Sequence, residues 1–197
     1  MNYLAHAYLS FGDPAILTGN MISDFIKGKK KFDYPEDIQQ GITLHRAIDD
    51  FTDRHPITRQ AKAFFSADYG LYAGPLTDVI YDHFLANDPL TFPAGSLAAF
   101  AKTTYEQLGR QQERDVFPER FTRMFIYMRS QDWLYNYRTR QGIYNSLQGL
   151  SRRALYMPGP EKAGRLFEEH YLPLQSCYNA FFPELKAFAL SALGKAH

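Results

Sequence analysis

Cysteine is almost missing from this chain of 197 residues, where Cys177 stands alone. An internal disulfide and any thiolate zinc cluster are thereby excluded, and the composition fits a reducing cytoplasm. Cys177 itself reads as a small buried apolar residue. An excess of one charge is missing too: 22 basic residues face 21 acidic ones, for a net charge of +1, which argues against a protein that coats nucleic acid. No uninterrupted run of about 18 apolar residues occurs, so no membrane span is expected. The segment Met1–Asn20 has no Lys or Arg ahead of its apolar residues and is interrupted by His6 and Asp13, unlike a secretory signal. Absent as well are the G-x-S-x-G elbow, the phosphate-binding P-loop, the G-x-G-x-x-G fingerprint and an H-E-x-x-H pair, which disfavours nucleophilic serine or cysteine chemistry. There is no long linker, low-complexity tract or fixed-period repeat, so one domain over residues 1–197 is expected.

What the chain does contain is apolar and aromatic bulk. With 45% hydrophobic residues, including 14 Tyr and 16 Phe, aromatic burial can drive folding without a structural metal, so any metal here is expected to serve chemistry. Apolar positions recur at spacings of three and four over Ala15–Ile26, Asp37–Asp53, Ile57–Phe65, Pro75–Leu85, Ser96–Leu108, Glu119–Ser130, Gly142–Arg153 and Lys162–Phe181. Strand-like alternation is scarce. The expected fold is all-α, a single compact multi-helix domain, with Pro35 at a helix entrance, Pro56 terminating the stretch just past Asp53, and Pro183 separating the last long helix from a short C-terminal one.

Two of these predicted helices carry metal-competent side chains at helical spacing: His45, Asp49 and Asp53 on one, Asp78, Asp82 and His83 on the other. Residues four apart share a helix face, so the two sets can converge if the helices pack side by side. The competing reading of the first set is an ordinary solvated face. The second set lies within Leu76-Thr77-Asp78-Val79-Ile80-Tyr81-Asp82-His83-Phe84-Leu85, where isolated carboxylates are costly to bury; they must face a cation, an arginine or a water-filled cleft. His6 and Asp24 are further candidates, although a lone histidine among apolar neighbours more often serves as a hydrogen-bonded core residue. Carboxylate-rich ligation with a few imidazoles suits Mn²⁺, Mg²⁺ or Fe²⁺. Such an ion supports hydrolysis, with a free carboxylate taking the proton of the attacking water.

These residues fall into an order that resembles the acyl carrier protein phosphodiesterases. The similarity runs through Met1-Asn2-Tyr3-Leu4-Ala5-His6, Gly19-Asn20 with Asp24-Phe25, Gly41 with His45-Arg46 and Ile48-Asp49, Thr52-Asp53, and Asp78-Val79 with Asp82-His83-Phe84-Leu85. Fainter matches occur at Trp133-Leu134, Tyr137 and Ser151-Arg152-Arg153. The resemblance implies an all-helical fold distantly like the HD-domain phosphohydrolases. It also implies Mn²⁺-dependent cleavage of 4′-phosphopantetheine from the serine of holo-acyl carrier protein. Carried onto this sequence, it offers His6, Asp24, His45, Asp49, Asp82 and His83 as the pool of metal ligands. Asp49, Asp53 and Asp78 are the candidates for base or ligand-orienting roles. The wider HD pattern has His before Asp, whereas this chain has Asp82 before His83, so the division of roles within the pool stays open.

Acyl carrier proteins are acidic, and the basic runs Lys27, Lys29, Lys30, Lys31 and Arg152, Arg153 are the expected docking residues for such a partner. Two rival functions remain compatible with the residues: an HD-like hydrolase of a nucleotide or other small phosphate ester, and a non-catalytic carrier-protein-binding module.

Overall fold

Helix boundaries track the capping and proline pattern closely. The computed structural model of the protein describes residues 1–154 and 156–194, and among these there are helices and no strands. A short helix α1 (Tyr3–Tyr8) opens the chain. Helix α2 (Pro14–Ile22) starts on Asp13, whose carboxylate accepts from the Ala15 and Ile16 amides, with Pro14 in the first turn. Helix α3 (Glu36–Arg54) begins directly after Pro35, and α4 (Pro56–Tyr69) places Pro56 in its first turn with His55 accepting from Ile57 N–H. Then come α5 (Ala73–Ala86), α6 (Ser96–Glu113), α7 (Glu119–Ser130), α8 (Trp133–Asn136), α9 (Arg140–Arg153), α10 (Pro160–Glu169) and α11 (Tyr171–Ala192).

Helix α5 is the axis of the molecule. It is buried on nearly every side, from Leu76 and Thr77 through Leu85 and Ala86, as expected of a helix apolar all round. It packs against α1, α4, α9 and α11. Helices α2 and α3 cross with their backbones in contact. A Cβ at Gly19 would lie 2.1 Å from the Ile38 carbonyl oxygen, and one at Gly41 would lie 2.3 Å from that of Ile16. Only glycine fits at either position, and the pair therefore sets the spacing between Asn20 on α2 and His45 on α3.

Three sequence expectations give way. The stretch expected as one helix over Ala15–Ile26 ends as α2 at Ile22 and continues as a 3₁₀ turn, Ser23–Phe25, which swings Asp24 off the α2 axis. The expected helix Lys162–Phe181 breaks at His170 into α10 and α11. Pro183 does not end a helix: α11 runs through it to Ala192. A mid-helix proline costs about 3 kcal/mol, and the burial of Phe181, Phe182, Leu185 and Ala189 around it outweighs that, at about 1.5–3 kcal/mol for each large side chain. Cys177 is half-buried and free.

Candidate metal centre

The sharpest feature of the site is one asparagine that holds two histidines. Asn20 lies fully buried on α2. Its Nδ2 donates to the His6 carbonyl at 2.8 Å and to Ser10 Oγ at 3.2 Å. Its Oδ1 is therefore the acceptor for His6 Nδ1 at 2.8 Å. The backbone carbonyl of the same residue accepts from His45 Nδ1 at 2.7 Å. Both rings thus carry their structural proton on Nδ1 and turn Nε2 towards the same place. They stack with centroids 3.9 Å apart and an interplanar angle of 16°.

At that place sits Asp49, one turn along α3 from His45. Its Oδ1 is 3.2 Å from His6 Nε2, and its Oδ2 is 3.1 Å from His45 Nε2. Asp24 Oδ1, on the 3₁₀ turn, is 3.1 Å from the same His45 nitrogen. Ligand atoms of His6, His45 and Asp49 all lie within 4.8 Å of one another. The two imidazoles are buried, Asp49 is half-buried and Asp24 is exposed, so the cluster is closed below and open to solvent above.

The electrostatics describe a place that demands positive charge. Burial lowers His45's pKa, but hydrogen bonds and charge from Asp24 and Asp49 reverse this and raise it to about 9. Burial, and then the neighbouring His45 charge, lower His6 to about 4. Burial would push Asp49 up; the bond from His45, with the neighbouring His6 and the Met1 ammonium, holds it well below the usual carboxylate range instead. Asp24 is likewise lowered, first by its bond to His45. Neutral His6 points its Nε2 lone pair at two oxygens, Asp49 Oδ1 at 3.2 Å and the Met1 carbonyl at 3.2 Å. Two imidazoles with fixed Nδ1 protons and a carboxylate are the donor set of a divalent cation. The residues present fit such an ion.

Other expected site residues lie elsewhere or serve otherwise. Asp78 is on the margin: its Oδ1 is 3.1 Å from the Met1 ammonium, which is also 3.3 Å from Asp49 Oδ1. Burial raises the Asp78 pKa. Asp82, expected as a ligand, is fully buried and caps α1, accepting from the Leu4 amide at 2.7 Å and the Ala5 amide at 3.1 Å. Burial lifts its pKa to about 7 against those two bonds. His83, also expected as a ligand, is absent from the cluster. Its Nδ1 donates to the Tyr137 carbonyl at 2.7 Å, its Nε2 is 3.1 Å from the Tyr171 hydroxyl, and Phe84 and Phe167 flank the ring. Helix α5 turns Asp82 towards the start of α1 and His83 towards Tyr137 and Tyr171, so neither reaches the cluster. Asp53, expected in a catalytic role, is two turns past His45, about 12 Å along the axis, and pairs with Lys62 at 2.7 Å.

Lys27, Lys29 and Lys30 are exposed and Lys31 is half-buried, on the segment directly after Asp24. Arg152 and Arg153 lie apart from that run, lining a cavity against α1. Asn20 was not expected as a site residue. The signal for Asn20 was a carboxamide in the otherwise apolar, mid-helical run of α2, where an unsatisfied polar group would be costly.

Comparison with known proteins points to one family. The family model described as acyl carrier protein phosphodiesterase matches residues 1–185. Curated relatives with that name include one from Yersinia pestis, 33% identical over 94% of this chain and 95% of the relative. Others come from Photorhabdus laumondii subsp. laumondii, 32% identical over 93% of this chain and 92% of the relative, and from Escherichia coli O157:H7, 30% identical over 96% and 97%. No solved structure shows a significant match.

Proposed function

The chain belongs to the acyl carrier protein phosphodiesterase family, and from that premise we propose that it hydrolyses the phosphodiester joining 4′-phosphopantetheine to the serine of holo-acyl carrier protein. The observation that carries this reading is the convergence of His6 Nε2, His45 Nε2 and Asp49 on one point, with both rings fixed by Asn20. A cytoplasmic setting accords with the nearly cysteine-free composition. No helix among the described residues is long and apolar enough to cross a membrane.

His6, His45 and Asp49 would hold the divalent ion, with Asp24 at its rim; Mn²⁺ is the expected metal, and the same donors accept Mg²⁺ or Fe²⁺. Bound there, it would supply Lewis acidity to a phosphoryl oxygen and bring the pKa of a water from 15.7 towards about 7. Asn20 keeps both Nε2 lone pairs aimed at the reaction centre. Asp24, ionised and exposed beside His45, takes the proton of the attacking water. A bond forms between that water's oxygen and phosphorus as the bond from phosphorus to the serine oxygen breaks. The serine oxygen takes its proton from solvent at the open rim. Asp78 anchors the start of α1 through the Met1 ammonium, and Asp82 does so through the Leu4 and Ala5 amides; both position His6 without touching the substrate. The Lys27–Lys31 run, exposed at Lys27, Lys29 and Lys30 and close after Asp24 in the chain, is suited to dock the acidic carrier protein.

The test tracks carrier-protein mass during incubation of holo-acyl carrier protein with the purified protein and Mn²⁺. Loss of the phosphopantetheine mass is expected, with Asp49→Asn slower by about 100-fold or more at unchanged helicity by circular dichroism. An Asp49→Asn variant as fast as the parent overturns the reading. So does turnover of a nucleotide panel while holo-carrier protein stays intact.

A further inference from the structure

Against the first residues of α1 lies a cavity of about 810 Å³, within the size range of small-molecule sites, which the hydrolytic centre itself does not use. Its floor is Asn2 and Tyr3, with Val79 beside them. These are chain neighbours of Met1 and Asp78, whose charged groups meet each other next to Asp49. Cavity and metal centre therefore share a wall, the start of α1.

The lining has a particular chemistry. Trp133 and Tyr3 form an aromatic side, with ring centroids 6.1 Å apart. The carboxamides of Asn145 and Gln148 on α9 offer both donors and acceptors. Arg152 and Arg153 supply positive charge, and neither has a carboxylate partner among the described residues, whereas Arg123 on the same cavity is taken up by Glu119 at 3.5 Å. The Tyr3 hydroxyl donates to Met124 Sδ at 3.1 Å. Burial raises its pKa to about 12, with Arg153 pulling it down and Asp24 pushing it up. That phenol thus lies within electrostatic reach of a lining arginine on one side and of the metal-centre carboxylate on the other.

We propose that this cavity receives the pantetheine arm of the carrier protein's prosthetic group, with Arg153 at the end nearest Tyr3 engaging its phosphate. The assignment rests on the phosphodiesterase reading and goes beyond it. Pantetheine is a flexible chain of two secondary amides, a dimethyl carbinol and a terminal thiol, joined to one anionic phosphodiester. Amide-bearing and aromatic walls suit the chain, and an uncompensated guanidinium suits the phosphate. An arm laid along α9 places its phosphate at the wall shared with His6, His45 and Asp49, while the carrier protein remains outside. Arg153 is thereby a specificity residue for the prosthetic group, distinct in role from the Lys27–Lys31 docking run.

Trp133 is the only tryptophan, so its fluorescence reads occupancy without any turnover. Titration with 4′-phosphopantetheine is expected to change its emission saturably. Arg153→Gln should weaken that binding about tenfold or more, while pantetheine, which lacks the phosphate, should differ between the two proteins by less than about twofold. A filling variant gives the second arm. A Cβ at Gly149 meets nothing within 4 Å, so Gly149→Phe places its ring in the cavity without displacing backbone, and it should lower kcat/KM for holo-carrier protein about tenfold or more at unchanged Tm. Wild-type turnover by Gly149→Phe, or an emission change insensitive to Arg153→Gln, overturns the cavity assignment and leaves the hydrolytic reading standing. Saturable, Arg153-dependent binding in a protein that leaves holo-carrier protein intact does the reverse.

Discussion

Asn20 and Asp82 are buried polar residues whose value lies in what they hold. Asp82 has no solvent exposure, and a carboxylate there is tolerable only because both oxygens accept backbone amides at the start of α1. In Asp82→Asn one of those oxygens becomes an NH₂ facing an N–H donor. We expect a loss of about 1–3 kcal/mol in urea unfolding, with metal affinity changed far less than in Asp49→Asn. On the proposed ligand set, His45 is the residue whose protonation would couple to metal binding. Its pKa of about 9 lies above its ordinary 6.5, so in metal-free protein the protonated ring stabilises the fold fully below about pH 6.5, and that contribution is lost as pH climbs through 9. A ligating Nε2 cannot keep that proton. Calorimetry in buffers of different ionisation enthalpy should therefore find about one proton released per Mn²⁺ at pH 7, with apparent affinity rising about tenfold per pH unit up to 9. No proton release would remove His45 from the ligand set.

At the scale of elements, the crossing of α2 and α3 aligns the site. Asn20 and His45 sit on different helices, and their 2.7 Å bond exists because Gly19 and Gly41 let the backbones touch. Gly41→Ala gains helix propensity of about 0.8–1 kcal/mol but drives a methyl group into the Ile16 carbonyl, and overpacking of this kind costs about 1–3 kcal/mol or more. We expect a net drop in Tm of several degrees, together with a loss of Mn²⁺ affinity of about tenfold or more as the His45 anchor shifts. The reading fails if affinity is kept despite the lower Tm. The break of α2 at Ile22 matters in the same way: a continued helix would carry Asp24 along the α2 axis, whereas the 3₁₀ turn delivers it to His45.

Across the whole molecule, charge is nearly balanced at +1 but unevenly placed. The exposed lysines of residues 27–30 follow Asp24 within a few residues, so a partner drawn to them would arrive beside the candidate metal centre. Replacing Lys29, Lys30 and Lys31 by Glu should raise KM for holo-carrier protein about tenfold or more at low salt, with the difference shrinking as salt is added. Hydrolysis of a small phosphodiester should stay within about twofold. Equal losses on both substrates would show that the run supports the centre rather than the docking.

The amino-acid sequence alone determined the helical class, most helix spans and the candidacy of His6, Asp24, His45 and Asp49, because periodicity, prolines and caps act within a few residues of themselves. It could not select among the carboxylates and histidines, since spacing along a helix says which residues share a face but not what that face meets. His83 looked equivalent to His45, yet the packing of α5 turns it towards Tyr137 and Tyr171, and Asp53 pairs with Lys62 outside the cluster. The sequence also left α1 unread and pointed the wrong way at Pro183. A six-residue helix is below the length at which propensity is decisive, and a proline's local cost is overruled by core burial it cannot sense. Tertiary structure decided that one asparagine would fix two imidazoles, that Asp82 would cap rather than ligate, and that Arg152 and Arg153 would line a cavity, because each depends on which helices touch, a property held by residues far apart in the chain.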